Sequence, residues 1–386
     1  MRKSTYRLYL TAANNMKVLF LIFHGLSASN GISKKINYQL HAFQANQQET
    51  HFCYLSEENG IKYRMVDRII LADYGNGLKG KLYKRFEFNS IARYAIKNRI
   101  NLVYIRSDHN ANPFTINLVR KIKENGIHIV MEIPTYPYDQ EYTSSFMKLQ
   151  LFIDKCFRKQ FAKYLDRIIT FSNHSTIFGI PTLQLSNGID FNEIPIKQKI
   201  NDTSNQIHLI GVAEIHYWHG YDRLLKGLAN YYTTHPQYKV YFHIVGEFTA
   251  QRERDECIPV IEENHLQPYV ILHGRQHGQN LDNIFEQCDL GIGSLGRHRS
   301  GITNIKTLKN REYAARGIPF IYSEIDEDFE NMPYIMKIPA DESPVDVQQV
   351  INFYNSTNLT PTKIREAIKH LSWKEQMKKV IDSIKI

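Results

Sequence analysis

Two successive series of short apolar runs, each alternating with helically spaced apolar residues, constrain this chain more than any other feature. In the first series the runs Val18–Phe23, His51–Leu55, Arg68–Leu71, Leu102–Arg106, His128–Ile133, Arg167–Phe171 and Thr182–Leu185 have strand length. Ile32, Ile36, Leu40 and Phe43 recur at helical spacing between the first two, and Phe114–Ile122 and Phe146–Leu165 repeat the pattern. Such alternation describes a parallel sheet covered on both faces. The turn Asn187-Gly188-Ile189-Asp190 and the polar stretch Pro195–Gln206 end that series. Ile207–Val212, Lys239–Val245, Val270–His273, Leu290–Gly293, Pro319–Ile321 and Tyr334–Ile338 then read as strands, with helices near Tyr221–Tyr232, Ala250–Asn264, Leu281–Cys288 and Lys306–Arg316.

The expected class is therefore α/β, with two Rossmann-like doubly wound domains facing a central cleft. The spans expected are 16–190 and 191–360, then crossover helices over 361–386 that return to the first domain. A chain of 386 residues is too long for one ordinary core. Met1 to Asn15 form a basic extension without the apolar core of a secretory signal, either a start-site extension or a loose arm.

Composition narrows the partners without choosing one. A formal charge of +9 favours anions such as nucleotide diphosphates, lipid headgroups or nucleic acid. Cys53, Cys156, Cys257 and Cys288 show no metal-type spacing and read as packing residues in a reducing compartment. No apolar run approaches the ~20 residues that span a bilayer. A cytoplasmic location is expected, with contact to an anionic inner membrane face left open by the amphipathic, lysine-bearing segment Ser372–Ile386.

The stretch Leu308 to Ile321 carries the sharpest local chemistry. A polar helix stops at Gly317-Ile318-Pro319 and a new apolar strand begins, while Asp289–Gly293 and the polar loop Ser294–Thr303 precede it. A strand, loop and helix in that order present helix N-terminal amides to an anion. Lys309 and Glu312, three apart, share a helix face, so an ammonium can meet a diphosphate while a carboxylate accepts from a ribose diol. Glu312 reads equally well as an ion-pair partner of Arg316 at i,i+4. The Arg297-His298-Arg299 cluster is a source of positive charge or simply a solvated loop.

A literal GxGxxG, Gly291-Ile292-Gly293-Ser294-Leu295-Gly296, would suggest a dinucleotide fold. Its position argues otherwise. A dinucleotide fingerprint sits between a domain's first strand and first helix, whereas this one comes late and runs into a polar loop.

Taken in order, the loop ending Asn30-Gly31-Ile32-Ser33, the boundary Leu185–Asp190, the turn Trp218-His219-Gly220-Tyr221-Asp222, Val245-Gly246-Glu247, Leu272-His273-Gly274 and the Glu312 helix ending in Gly317-Ile318-Pro319 resemble glycosyltransferase family 4. These are retaining enzymes of the GT-B fold that build bacterial surface polysaccharides. The resemblance implies a nucleotide-diphospho-sugar donor in the C-terminal domain, with UDP favoured over GDP, and a saccharide or lipid-linked acceptor. It implies no metal, no further cofactor and no nucleic-acid partner. Glu312 would meet the ribose, Gly274-Arg275 the base, and Gly31 the diphosphate. Asn304 stands where the family carries a second glutamate, eight residues before Glu312. His219 and Ala213 stand where the family supplies Lys and Arg, and Pro134 where a histidine is common. Charge neutralisation then falls to Lys309 with Arg297 and Arg299.

The acceptor side is expected at Arg106, Asp108, His109 and the segment Glu132 to Glu141, since Glu132, Tyr136, Asp139 and Glu141 offer carboxylates and an aromatic face that suit a sugar. A stiff turn is the plain alternative for that segment. His219 has a plain alternative too, as a core-edge histidine. The missing Lys and Arg, with Asn304, also support a catalytically degenerate relative that binds an anionic partner without turnover.

Overall fold

The computed structural model describes residues 15–26, 31–139, 142, 144–198 and 205–384. Met1 to Asn14, Asn30 and Glu141 lie outside the described residues, as do residues 199–204 of the polar linker. The chain forms two compact units, Met1–Leu185 with Met377–Ile386, and Ser186–Gln376.

The first unit runs β1 (Lys17–Leu21), α1 (Gly31–Ala45), β2 (Glu49–Glu58), β3 (Ile61–Val66), β4 (Ile69–Gly75), α2 (Gly77–Phe86), α3 (Asn89–Lys97), β5 (Leu102–Arg106), α4 (Pro113–Glu124), β6 (His128–Ile133), α5 (Ser145–Ala162), β7 (Arg167–Thr170), β8 (Thr176–Ile177) and β9 (Ile180–Gln184). Its sheet has the order β4-β3-β2-β1-β5-β6-β7-β9-β8. The strands from β2 to β9 through β1 pair in parallel. β1 and β5 are buried along nearly their whole length, as expected of strands covered on both faces.

One edge departs from the sequence expectation. Arg68–Leu71 was expected to be one more strand of the parallel series, yet β4 runs antiparallel to β3, and β3 antiparallel to β2. Asn59 and Gly60 take φ of 51° and 78° in a two-residue connection, with Glu58 paired to Ile61. An Asn-Gly pair takes up that left-handed turn readily, which folds β2 back on itself as a hairpin.

The second unit runs β10 (Gln206–Val212), α6 (Tyr221–Tyr232), β11 (Lys239–Val245), α7 (Gln251–Glu263), β12 (Val270–Gly274), α8 (Gly278–Gln287), β13 (Leu290–Ile292), α9 (Leu308–Arg316), β14 (Phe320–Tyr322), β15 (Ile335–Lys337), α10 (Val347–Ser356), α11 (Pro361–Ala367) and α12 (Trp373–Ile384). Its sheet, β12-β11-β10-β13-β14-β15, is parallel throughout. The strand order reverses at β10, so the strand ends there form a topological switch point, the place where such sheets take ligands. The whole chain is thus an α/β molecule built on two largely parallel sheets.

The glycines of the late GxGxxG serve packing. A Cβ on Gly291 would lie 2.6 Å from the Tyr313 ring, one on Gly293 2.7 Å from Tyr322 Cβ, and Gly220 and Gly296 bring two backbones into contact. They let α9 and the turn Tyr217–His219 approach β13 closely, so the motif is a seat for helices. Three histidines on adjacent strands form a hydrogen-bonded row: His208 Nδ1 lies 2.9 Å from His243 Nε2, and His243 Nδ1 lies 2.9 Å from His273 Nε2.

Candidate nucleotide-sugar site

The site grows from the start of α9. Thr307 stands at its N-cap in an extended conformation but makes no side-chain cap bond, and its buried hydroxyl has no partner. The first amides of the helix are therefore left without the usual side-chain acceptor. Arg311 fixes this helix in place by donating to the Thr307 carbonyl at 2.9 Å, the Asn187 carbonyl at 2.8 Å and the Asp326 carboxylate at 2.7 and 3.1 Å, with a further contact to Asp328. Fully buried and fully partnered, it is a scaffold residue.

Lys309, two residues into the helix, points its ammonium inward, where the Nζ atom is buried without a hydrogen-bond partner. Burial lowers its pKa to about 7, with Arg297 pushing the same way and the Glu324 carboxylate opposing. Glu324 follows β14 and is nearly inaccessible. Burial pushes its carboxyl up, against the pull of Lys309, Asn310 and Arg297. Asn310 Nδ2 donates to Glu324 Oε1 at 3.2 Å, while Oε2 is unpartnered.

Arg297 completes the group from the turn Arg297–Ser300. Its guanidinium lies 5.3 Å from the Trp218 ring, its Nε is buried without a partner, and burial lowers its pKa. His219 sits in the facing turn Tyr217–His219, with the Leu295 amide donating to its carbonyl at 2.9 Å. Burial, then Lys309 and Arg297, hold its imidazole neutral. Nδ1 accepts from the His216 amide at 2.9 Å, which leaves the proton on Nε2 as a donor. Two cations, a neutral imidazole donor and open helix amides thus surround one carboxylate. An added anion would relieve the imbalance.

Other residues expected at the donor have different surroundings. Glu312 pairs with Arg316 at 2.9 and 3.1 Å, the i,i+4 arrangement, and Arg316 also reaches Asp282 of α8 at 2.8 Å. Arg299 is taken up by Asp222 at 2.8 and 3.0 Å, by Glu342 at 2.5 and 2.9 Å and by the Tyr217 carbonyl. With so many acceptors around it, Arg299 ties the turn to α6 instead of presenting free donors. Asn304 forms an isolated bridge with Ile325. Gly274 has φ +65° at the end of β12, and exposed Arg275 lies 3.2 Å from Glu247 and 3.6 Å from Glu214, all three beyond strand carboxyl ends. Gly31 opens α1 in the other unit.

In the first unit Glu132 is fully buried at the end of β6. It accepts from Arg106 at 2.6 Å, Tyr104 at 2.5 Å and Gln39 at 2.5 Å, and pairs with Lys35 at 3.2 Å. Despite the burial, these charges hold its carboxyl down at about 2. Glu132 and Arg106 therefore form a closed ionic cluster beneath the sheet edge, with no lone pair left over for a sugar. Asp139 binds Arg158 at 2.9 Å and Lys155 at 2.7 Å. His109 stacks on Tyr138 at 3.7 Å and meets the Tyr142 hydroxyl at 2.7 Å, and burial drops its pKa to about 4. Tyr136 packs edge-on to His174 and Phe178, while Asp108 is exposed.

Sequence reasoning grouped Lys309 with the Arg297 cluster and treated His219 on its own, and the fold sets all three around one carboxylate. It had missed Glu324, although a carboxylate just past a central strand is a recognisable signal.

Solved structures match nearly the whole chain. The sucrose-phosphate synthase of Thermosynechococcus elongatus is 13% identical, covers 96% of this chain and 99% of its own, and has a TM-score of 0.64. Anabaena HepE in complex with UDP is 15% identical over 95% of this chain and 100% of its own, with a TM-score of 0.60. The lipopolysaccharide outer core galactosyltransferase WaaB is 13% identical over 96% and 99%, with a TM-score of 0.58. The fold is GT-B. At such identities the likeness speaks to fold alone, and the GT-B architecture is shared by glycosyltransferases of varied substrates. No protein-family model and no curated protein sequence matches the chain.

Proposed function

We propose that this protein is a glycosyltransferase that takes a sugar from a nucleotide-diphospho-sugar, with UDP favoured over GDP, and passes it to a saccharide or lipid-linked acceptor in surface polysaccharide or glycoconjugate synthesis. The observation that carries this reading is the unpartnered, buried ammonium of Lys309, beside Arg297 and the open N-terminus of α9 at the carboxyl ends of the sheet. Departure of a nucleoside diphosphate puts growing negative charge on the leaving phosphate, and buried cations with fixed amides stabilise such charge more strongly than water does. Lys309 and Arg297 would meet the diphosphate, His219 Nε2 would donate to it, and Gly274-Arg275 would border the base. Glu312 would exchange its Arg316 partner for the ribose hydroxyls. Retention of configuration, a hexosyl donor, independence from metal and a cytoplasmic site at an anionic membrane face belong to the same proposal.

The ion pairing of Arg299 and Glu312 favours a second reading, a GT-B protein that binds an anionic partner without turnover. One experiment separates the two. Thermal shift against UDP, GDP, CMP and ADP, followed by hydrolysis of the matching nucleotide-sugars, should give a UDP-specific rise in Tm and slow release of UDP. Binding without release would favour the second reading, and no shift with any nucleotide would remove the first.

A further inference from the structure

The first unit turns the apolar stripes of two helices toward solvent. In α2, with the sequence Gly-Leu-Lys-Gly-Lys-Leu-Tyr-Lys-Arg-Phe, Leu78, Leu82 and Phe86 recur at every fourth residue and are 78%, 54% and 46% exposed. The helix buries only Gly80, where a Cβ would collide with the Gly75 carbonyl. In α5, Phe146, Leu149 and Phe152 are 59%, 57% and 65% exposed, while Leu151, Asp154 and Phe161 face inward. Both helices reach a common seam. Phe86 meets the exposed Phe114 of α4 with ring centroids 4.8 Å apart, and Arg85 of α2 lies 5.5 Å from the Phe146 ring. A helix normally spends such a stripe on the core, and singly exposed apolar residues are ordinary, whereas two aligned stripes joined at a seam are not.

The charge around the stripes identifies what covers them. Lys79, Lys81, Lys84 and Arg85 flank the α2 stripe and the helix has no carboxylate. Lys148 lies exposed on α5 between Phe146 and Leu149. Glu57 pairs with Lys62 at 2.7 Å and lies near Lys81 and Lys84, and Asp108 also acts on Lys84, so the four α2 cations outnumber these two carboxylates. Apolar side chains set among cations suit the boundary between anionic headgroups and acyl chains, where the stripe is buried and the lysines reach phosphate. A second protein would need carboxylates matched to each lysine, whereas a lipid surface supplies diffusible negative charge anywhere.

We propose that α2 and α5 form a docking face for an anionic lipid bilayer, with Leu78, Leu82, Phe86, Phe146, Leu149 and Phe152 entering the headgroup boundary and the α2 cations neutralising lipid charge. This moves the membrane contact away from the lysine-bearing C-terminal segment, for Met377, Val380 and Ile381 of α12 are buried. The proposal rests on the membrane-side placement given above, but vesicle binding is read without donor or turnover. Failure here therefore leaves the nucleotide experiment standing, and the reverse holds too.

Cys156 offers a built-in probe, being exposed on α5 four residues beyond Phe152 while Cys53, Cys257 and Cys288 are buried. The full-length protein, labelled there with an environment-sensitive fluorophore, is titrated with phosphatidylglycerol–phosphatidylcholine vesicles and with phosphatidylcholine alone. A blue shift and cosedimentation with anionic vesicles only, weakened by salt, is the expected result. Leu78→Ser/Leu82→Ser/Phe86→Ser should reduce partitioning on the order of 10-fold or more, and Lys79→Gln/Lys81→Gln/Lys84→Gln should abolish the preference for anionic lipid. Leu78, Lys79, Lys81, Leu82 and Phe86 are exposed and Lys84 is half-buried, so an unchanged Tm checks folding. Equal binding by the variants, a probe silent to vesicles, or a dimer in light scattering that the serine variant dissolves would overturn the proposal.

Discussion

Lys309 is costly to this protein until something negative arrives. A buried ammonium with no hydrogen bond lowers stability, so Lys309→Met should raise Tm in the free protein while cancelling the shift produced by UDP. Turnover of Lys309→Ala should fall on the order of 10²-fold, the scale for loss of one preorganised donor. A residue that served only structure would show the opposite, a lower Tm with activity kept. Because its pKa in the empty site is about 7, affinity for UDP should fall as pH rises through 7. Binding at pH 8 should then take up a proton, visible as different calorimetric heats in HEPES and Tris.

Glu312 tests the other half of the nucleotide. A carboxylate can accept from both ribose hydroxyls, whereas glutamine offers one oxygen and an amide. Glu312→Gln should weaken UDP binding by about 1.5–3 kcal/mol, as for a hydrogen bond to a charged group. A 2′-deoxy nucleotide should lose affinity for the native protein and little more for the variant. Unchanged binding with a lower Tm would leave Glu312 with Arg316 as its only partner.

Among the elements, close approach is bought with glycine. On α6, Gly227 faces the Val345 carbonyl just before α10, near enough that a Cβ would overlap the oxygen. Gly227→Ala should force the segment away and lower stability by about 1–3 kcal/mol in urea titration. A neutral outcome would mean that the segment before α10 yields freely. In the first unit the Asn59-Gly60 turn decides strand direction at one sheet edge, a device independent of the parallel series beside it.

For the whole molecule, buried histidines set the response to acid. Burial lowers His109 and His243 to about 4, and His208, His219 and His273 also fall below their ordinary value. An unfolded chain protonates these rings near 6.5, so between about 6.5 and 4 it binds more protons than the native state. Their contribution is therefore complete above 6.5 and lost as pH falls toward 4. Tm should drop steadily from pH 7 to pH 5, and a flat profile would refute the assignment. Sugar transfer should persist in excess EDTA, since the charge at the diphosphate is assigned to Lys309 and Arg297, and a strict need for added Mg²⁺ or Mn²⁺ would refute that assignment.

Periodicity alone determined the two-sheet α/β class and most of the succession of strands and helices, though not β3, α2 or α3, because an apolar run flanked by helical spacing has few ways to bury itself. It also made the Leu308–Ile321 unit legible, since a glycine stop and a proline are local signals. Arg299 shows the limit of such reading. Within the sequence it is one of two equivalent arginines in Arg297-His298-Arg299, and only the placement of Asp222 and Glu342, 77 and 43 residues away, consumes its donors while Arg297 keeps a free one. Glu132 passed from sugar ligand to buried ion cluster for the same reason, and Glu324 entered the site only when β14 came to lie beside β13. The charge of a side chain is written in the sequence; its partners are set by neighbours distant along the chain, which tertiary packing alone supplies.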